Sequence, residues 1–223
     1  MKITFITDSY GGIRIHDNIE EVSEKQTFPA LCKAEFIKKG HEVSIDYASY
    51  RKVTDLSTIM DKYKESDLFI LHAGIVDAYP RPLNQRLTMS KAYLPNILRR
   101  LIRIRRKFVI NYIYNKPWTS EKDYFDAIRF ICKNYKTKML WINVPKVIQR
   151  QEKETPGSNK AIGEYNGILN EALKNYQHCT VLNINQLLCD QNDFESFFHP
   201  IDSHLNIKGN KFYADEILKY LDL

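Results

Sequence analysis

Apolar positions along this chain fall into short runs and helically spaced runs that alternate. Lys2–Thr7 is apolar and β-branched, and predicts a buried strand ending at Asp8-Ser9. Residues 25–39 place Phe28, Leu31, Cys32, Phe36 and Ile37 at helical spacing, with Gly40 as the stop. Residues 41–47 alternate as a second strand, and 55–65 have a helical pattern. Residues 67–76 carry Leu-Phe-Ile-Leu-His-Ala-Gly-Ile-Val, a third buried strand with Gly74 near its end. A helix over 91–106 follows, then one from Thr119-Ser120 to about Tyr135. A fourth strand over 138–144, closed by Pro145, precedes a helix over 159–176. A fifth strand over 180–184 and a terminal helix over 206–221 complete the series. Residues 107–114 fit strand or helix, and the polar stretch 149–159 reads as a loop.

Strands alternating with helices make βαβ units, so the pattern predicts an α/β fold with a five-stranded, mostly parallel sheet. No internal repeat and no Gly/Ser/Pro-rich linker divides the chain, so residues 1–223 read as a single domain. In such a sheet, ligands sit outside the carboxyl ends of the strands. That rule singles out Ser9, the Ser49-Tyr50-Arg51-Lys52 segment, Asp77, Arg81 and the loop after Pro145, all of which follow strands.

Composition narrows the class. The 223 residues are 43% hydrophobic, enough for one sizeable core. The net charge of +6 is concentrated, because residues 99–107 hold six cations. Nucleic-acid binding calls for a broader basic surface and is not expected. On a helix over 94–106, Leu94, Ile97, Leu98, Leu101 and Ile102 share one face, and Arg99, Arg100, Arg103, Arg105 and Arg106 fall largely outside it. The simpler reading is a core-packed helix with a solvated basic face. The sharper one is an anionic partner, such as a membrane surface, a lipid-linked glycan or an acidic polysaccharide. Four separated cysteines without a C-x-x-C pair read as reduced thiols, mostly buried. Asp8 interrupts any signal-peptide core, so a cytoplasmic protein is expected.

Three segments carry chemistry. Ser9, in Thr7-Asp8-Ser9-Tyr10-Gly11-Gly12, can present a hydroxyl and its own N–H, an attacking oxygen and an oxyanion donor. A serine after a strand is also a common turn or cap residue. His199-Pro-Ile-Asp202-Ser-His204-Leu-Asn206 offers His204 as a base and Asp202 to orient it. A metal site through His199, Asp202 and His204 is the weaker alternative, since no further cluster completes a shell. In Gly74-Ile-Val-Asp77-Ala-Tyr79-Pro-Arg81, the glycine permits close backbone approach, and Asp77 and Arg81 are placed to pair. Tyr10, Tyr50, Arg51, Tyr79 and Trp118 are candidate substrate contacts, although such aromatics are more often core or rim. His72, on a buried strand, reads as a core histidine.

The order Asp8-Ser9, then Gly74-x-x-Asp77, then Asp202-x-His204-Leu-Asn-x-x-Gly209, resembles the SGNH (GDSL-type) hydrolase family over nearly the whole chain. The Leu140-Trp-Ile-Asn-Val-Pro145 strand and Glu164-Tyr-Asn helix are similar to members from bacterial surface-polysaccharide gene clusters. The resemblance implies a flavodoxin-like three-layer α/β/α sandwich and a serine esterase that needs no cofactor and no metal. It implies that Ser9 attacks an acyl carbonyl, His204 shuttles the proton, Asp202 orients the imidazole, and Ser9 N–H with the Gly74–Asp77 loop borders the oxyanion. The substrate would be an O-acyl, most simply O-acetyl, ester on a small molecule or glycan precursor. An O-acyltransferase using the same acyl-enzyme, and a non-catalytic glycan- or partner-binding protein, are the alternatives. Three positions depart from the family pattern: the acid stands two rather than three residues before His204, Asp77 stands where the family has asparagine, and the second strand is not followed by the family's glycine.

Overall fold

The computed structural model describes residues 1–16, 19–89 and 95–222. Strand β1 (Lys2–Thr7) leads through a hairpin of β2 (Arg14–His16) and β3 (Ile19–Val22) to helix α1 (Phe28–Lys38) and strand β4 (Glu42–Tyr47). Helix α2 (Leu56–Met60), strand β5 (Leu68–His72) and the single turn α3 (Ile75–Ala78) follow. Then come α4 (Gln85–Met89), α5 (Asn96–Ile104), α6 (Arg106–Tyr112) and α7 (Glu121–Asn134). Strand β6 (Lys138–Ile142), helices α8 (Gln149–Glu154) and α9 (Ser158–Leu173), strand β7 (Cys179–Leu182), α10 (Ile184–Cys189) and α11 (Ile207–Tyr220) complete the chain.

The main sheet has the order β4-β1-β5-β6-β7, and every pairing is parallel. Helices cover both faces, giving a three-layer α/β/α sandwich in which α1 packs on α11 and α7 on α9. The central strand β5 is buried at all five residues, as a parallel strand under helices on both faces must be. Phe5, Phe28 and Phe36 meet beneath one helical layer, with ring centroids 6.5 and 6.2 Å from Phe5. On α7, Ser120 caps the helix by accepting from Asp123 N–H, as the Thr119-Ser120 signal predicts. Cys32, Cys132 and Cys179 are buried free thiols, and Cys189 is exposed. Among the described residues no helix is long and apolar enough to cross a membrane.

Three local expectations are corrected, and one open reading is settled. The third strand stops at His72 instead of running to residue 76, because Gly74 adopts φ +135° and turns the chain into α3. A Cβ at Gly74 would also lie 2.9 Å from the Tyr124 hydroxyl, so the turn excludes larger residues. The stretch 149–159 is mostly helical and not a loop, with α8 over 149–154 and α9 starting at 158. Glu152 accepts the N–H groups of Gly157 and Asn159, both at 2.8 Å, and so joins α8 to α9. The ambiguous residues 107–114 are mostly helical. The apolar face expected to pack α5 into the core does not: Ile97 is 77% exposed, Leu101 51% and Leu98 42%, and Ile102 is half-buried. Anchoring falls to Val109 and Ile110 of α6, both buried. Leu94 lies outside the described residues, as do the side chains of Arg99 and Arg103.

Candidate active site

Ser9 opens a tight turn at the carboxyl end of β1. Asp8 is fully buried; its Oδ1 accepts Tyr10 N–H at 3.1 Å and faces His72 Nδ1 at 3.2 Å. The chain behind the serine has no room for side chains. A Cβ on Gly11 would meet Thr7 Oγ1 at 2.2 Å, and one on Gly12 would meet the Tyr47 ring at 2.1 Å. Ser9 is the first residue of this turn, so its N–H has no partner within it. No backbone acceptor takes it among the described residues. It is therefore free to receive a ligand oxygen.

His204 stands in the loop before α11. Asn206 caps that helix through Gly209 N–H at 2.9 Å. Its Nδ2 also donates to Ser196 O and Phe198 O, and His199 N–H donates to His204 O at 2.8 Å. These bonds fix the loop against the preceding segment. His204 Nδ1 approaches Asp202 Oδ1 to 3.0 Å, and the same oxygen accepts His204 N–H at 3.0 Å. Asp202 Oδ2 pairs with Arg14 Nη2. Burial would raise the Asp202 pKa, but the adjacent His204 imidazole and the His204 backbone N–H, helped by Arg14, outweigh it and hold the carboxyl at about 2. Asp202 is thus an anion across the working pH range, with one oxygen for the histidine and one for an arginine. The Tyr10 ring stacks on the imidazole at 5.9 Å between centroids.

Ser9 and His204 open onto one cavity of about 480 Å³ at the carboxyl edge of the sheet. That volume suits a small ligand. Of the residues expected at the site, Ser9, Tyr10, Tyr50, Tyr79, Arg81 and His204 line it. Asp202, behind His204, and Trp118, against Arg81, do not, and neither do three others. Gly74 caps α3 and shapes the turn. Arg51 is buried and bound inward, donating to Thr7 O at 3.0 Å and Asp46 O at 2.6 Å and pairing with the Asp46 carboxylate. It holds β4 and β1 together and is not a substrate contact.

Asp77 is the third. It is fully buried, and accepts from Thr119 Oγ1 at 2.5 Å and from Val53 N–H at 3.0 Å. Both oxygens are engaged away from the cavity, and Asp77 forms no ion pair with Arg81. Burial pushes its carboxyl up from 3.8 to about 7, against the pull of those two hydrogen bonds. The expected pairing of Asp77 with Arg81 is replaced by a stack. The Arg81 guanidinium lies 4.4 Å from the Trp118 ring centroid and 5.2 Å from that of Tyr79.

The trio His199, Asp202 and His204 also diverges, since His199 Nε2 contacts Glu21 Oε1 at 2.8 Å. Among the described residues no three His, Cys, Asp or Glu side chains gather as a metal shell would require. His72 is buried against Tyr10, Phe28 and Tyr213, as a core histidine. Arg14, Gln151 and Ser203 line the cavity without having been expected there. Gln151 Oε1 accepts Ser203 N–H at 2.6 Å, and Ser203 Oγ accepts Ile148 N–H at 3.1 Å. A lone arginine in a short strand, or a glutamine in a polar stretch, carries no local signal of this. Their roles come from contacts between segments far apart in sequence.

No family model and no curated protein sequence matches the chain. Solved structures do. A lipase/acylhydrolase from Enterococcus faecalis superposes with a TM-score of 0.68 at 13% identity, over 99% of this chain and 94% of the other. The chain has the fold of the GDSL-type hydrolases. A protein of Parabacteroides merdae described as a GDSL-like lipase gives a TM-score of 0.64 at 10% identity, over 98% of this chain and 94% of that one. An acetylxylan esterase of Geobacillus stearothermophilus also gives 0.64, at 13% identity, over 100% and 94%. At these identities the GDSL-type likeness is one of architecture, and the chemistry rests on the site itself.

Proposed function

We propose that the protein is a serine ester hydrolase that removes an O-acyl group, acetyl foremost, from a carbohydrate or glycan precursor. The observation that carries this is one cavity onto which open a serine with an uncommitted N–H and a histidine backed by an ionised aspartate. Ser9 Oγ attacks the acyl carbonyl as His204 takes its proton. The Ser9 N–H meets the charge that develops on the carbonyl oxygen. Collapse releases the alcohol, which His204 protonates, and leaves Ser9 acylated. Water, deprotonated by the same imidazole, then frees the acid and restores Ser9. Asp202 keeps the imidazole oriented and stabilises its charged form. The carbohydrate reading draws on Tyr50 and Tyr79 in the cavity wall, with Trp118 behind them, and on acetylxylan esterases among the structural neighbours.

Transfer to a sugar hydroxyl is the second reading, and the Asp202-x-His204 spacing favours keeping it. The test is turnover of 4-nitrophenyl acetate by the purified protein beside Ser9→Ala and His204→Ala. The expected loss is roughly 10³-fold or more in each variant. Unchanged rates in the variants, or none in the parent, would sink the hydrolase reading and favour a binding role. With Ser9-dependent turnover in hand, acetylated sugar formed at added sugar acceptor separates transfer from hydrolysis.

A further inference from the structure

Arg81 is an unusual charge for its position. The cation sits in the cavity wall, sandwiched by aromatic rings, and its Nε is buried with no hydrogen-bond acceptor. A second guanidinium, that of Arg106, lies over the same Tyr79 ring at 5.4 Å. Arg106 spends its hydrogen bonds on neutral oxygens, Thr155 Oγ1 at 2.7 Å and Pro80 O at 3.1 Å. Among the described residues neither arginine forms an ion pair. The nearest buried acid, Asp77, has both oxygens taken by Thr119 and Val53. Burial first, and then the neighbouring Arg106, pull the Arg81 pKa from 12.5 down to about 10, so it stays charged at neutral pH.

Two half-buried like charges that share one ring are costly unless something negative joins them. Other buried or half-buried arginines of this protein are paired with carboxylates, as with Arg51 and Asp46 or Arg14 and Asp202. Arg81 is also held in place. Trp118 Nε1 donates to Leu83 O at 3.0 Å, which fixes the indole under the guanidinium. Tyr50, at φ +63°, presents its ring against Trp118 at 6.2 Å and borders the same cavity. A non-glycine residue in that region of backbone space is uncommon and strained, and clusters at functional sites.

We infer that the cavity takes an ester whose alcohol portion carries an oxyanion group, a carboxylate or a phosphate, bound by Arg81. A planar guanidinium with free donors matches either group through paired hydrogen bonds. This rests on the hydrolase reading for the reacting ester, and makes Arg81 the specificity-determining residue of that site. Tyr50 would flank the ring that carries the anion, as a flat wall.

The test separates binding from turnover. The full-length Ser9→Ala protein is titrated calorimetrically with 4-hydroxybenzoate, 4-hydroxyphenyl phosphate and neutral 4-hydroxybenzamide. At least one anion should bind about tenfold or more tightly than the amide, and the one that does identifies the source of the charge. That advantage should vanish when Arg81→Gln is added, persist in part with Arg81→Lys, and shrink as salt rises. Where Arg81→Gln fails to fold, the Lys variant and the salt series decide. Equal affinity for anions and amide, no measurable affinity for either anion, or a preference that survives Arg81→Gln overturns the inference. In parallel, kcat/KM of the unmutated protein is compared on the matching aryl acetates. If turnover there is independent of Ser9 while the anion preference holds, the hydrolase reading falls and the anion site stands.

Discussion

The two walls of the cavity treat charge in opposite ways. On the Ser9–His204 side every charge is answered: Asp202 by His204 and Arg14, and Arg14 additionally by Glu21 at 3.7 Å. On the Arg81 side two guanidinium groups share a tyrosine ring, and among the described residues neither forms an ion pair. The first wall is internally compensated, so it can be rigid and preorganised before substrate arrives. The second is left open to complementation from outside. The comparison separates machinery that must be complete in the free protein from recognition that is completed by the ligand.

Breaking the compensated wall should have the largest effect. Asp202→Asn removes the charge that orients and stabilises the imidazole, and should lower kcat roughly 10²–10⁴-fold on 4-nitrophenyl acetate. A loss of less than tenfold would mean that a backbone group, and not Asp202, orients His204. Asp77→Asn probes a buried acid outside both walls. Its folded pKa of about 7 lies above the unfolded value of about 4, so protonation favours the folded state. Stability should therefore fall as pH rises from about 4 to 7 and then level off. Asp77→Asn should flatten that slope, gaining on the unmutated protein by about 2–4 kcal/mol between pH 5 and pH 8. Urea unfolding at the two pH values measures it, and parallel curves for the two proteins would refute the burial argument.

Smaller effects sharpen the contrast. Arg14→Gln leaves the Asp202–His204 contact in place, and should cost about 3–10-fold in kcat, the size of one partly exposed ion pair. Trp118→Leu keeps bulk beneath Arg81 but removes the π-face, worth roughly 0.5–2 kcal/mol. It should raise KM for anionic esters several-fold with kcat nearly unchanged. An effect confined to kcat would place Trp118 with the machinery instead.

Much of the fold was legible. Lys2–Thr7, residues 41–47 and the apolar core of 67–76 each announce a strand, because β-branched and apolar runs of that length have few other uses. The Thr119-Ser120 and Asn206 caps announce helix starts. The hairpin of β2 and β3 was not legible, since its residues alternate poorly and it pairs only with itself. Nor was α8, whose six residues Gln149–Glu154 contain no apolar position to give a period. At the site, Ser9, His204 and Asp202 were marked by their place after a strand or before a helix. Asp77 was misplaced because a residue type and a loop position do not say which way a side chain faces. Arg14 was invisible for the complementary reason: nothing near residue 14 reveals that Asp202 will stand opposite it.

The fold draws the proposed nucleophile, Ser9, from the turn after β1 and the proposed base, His204, from the loop before α11. Asn210 of α11 accepts Phe28 N–H at 2.8 Å, so the final helix is tied to the first. During synthesis, then, Ser9 leaves the ribosome long before His204 does. A nascent chain that has not reached His204 has the hydroxyl without that base. On the hydrolase reading, esterolytic competence arrives with docking of α11, and a product truncated before residue 204 is silent however well its sheet has formed.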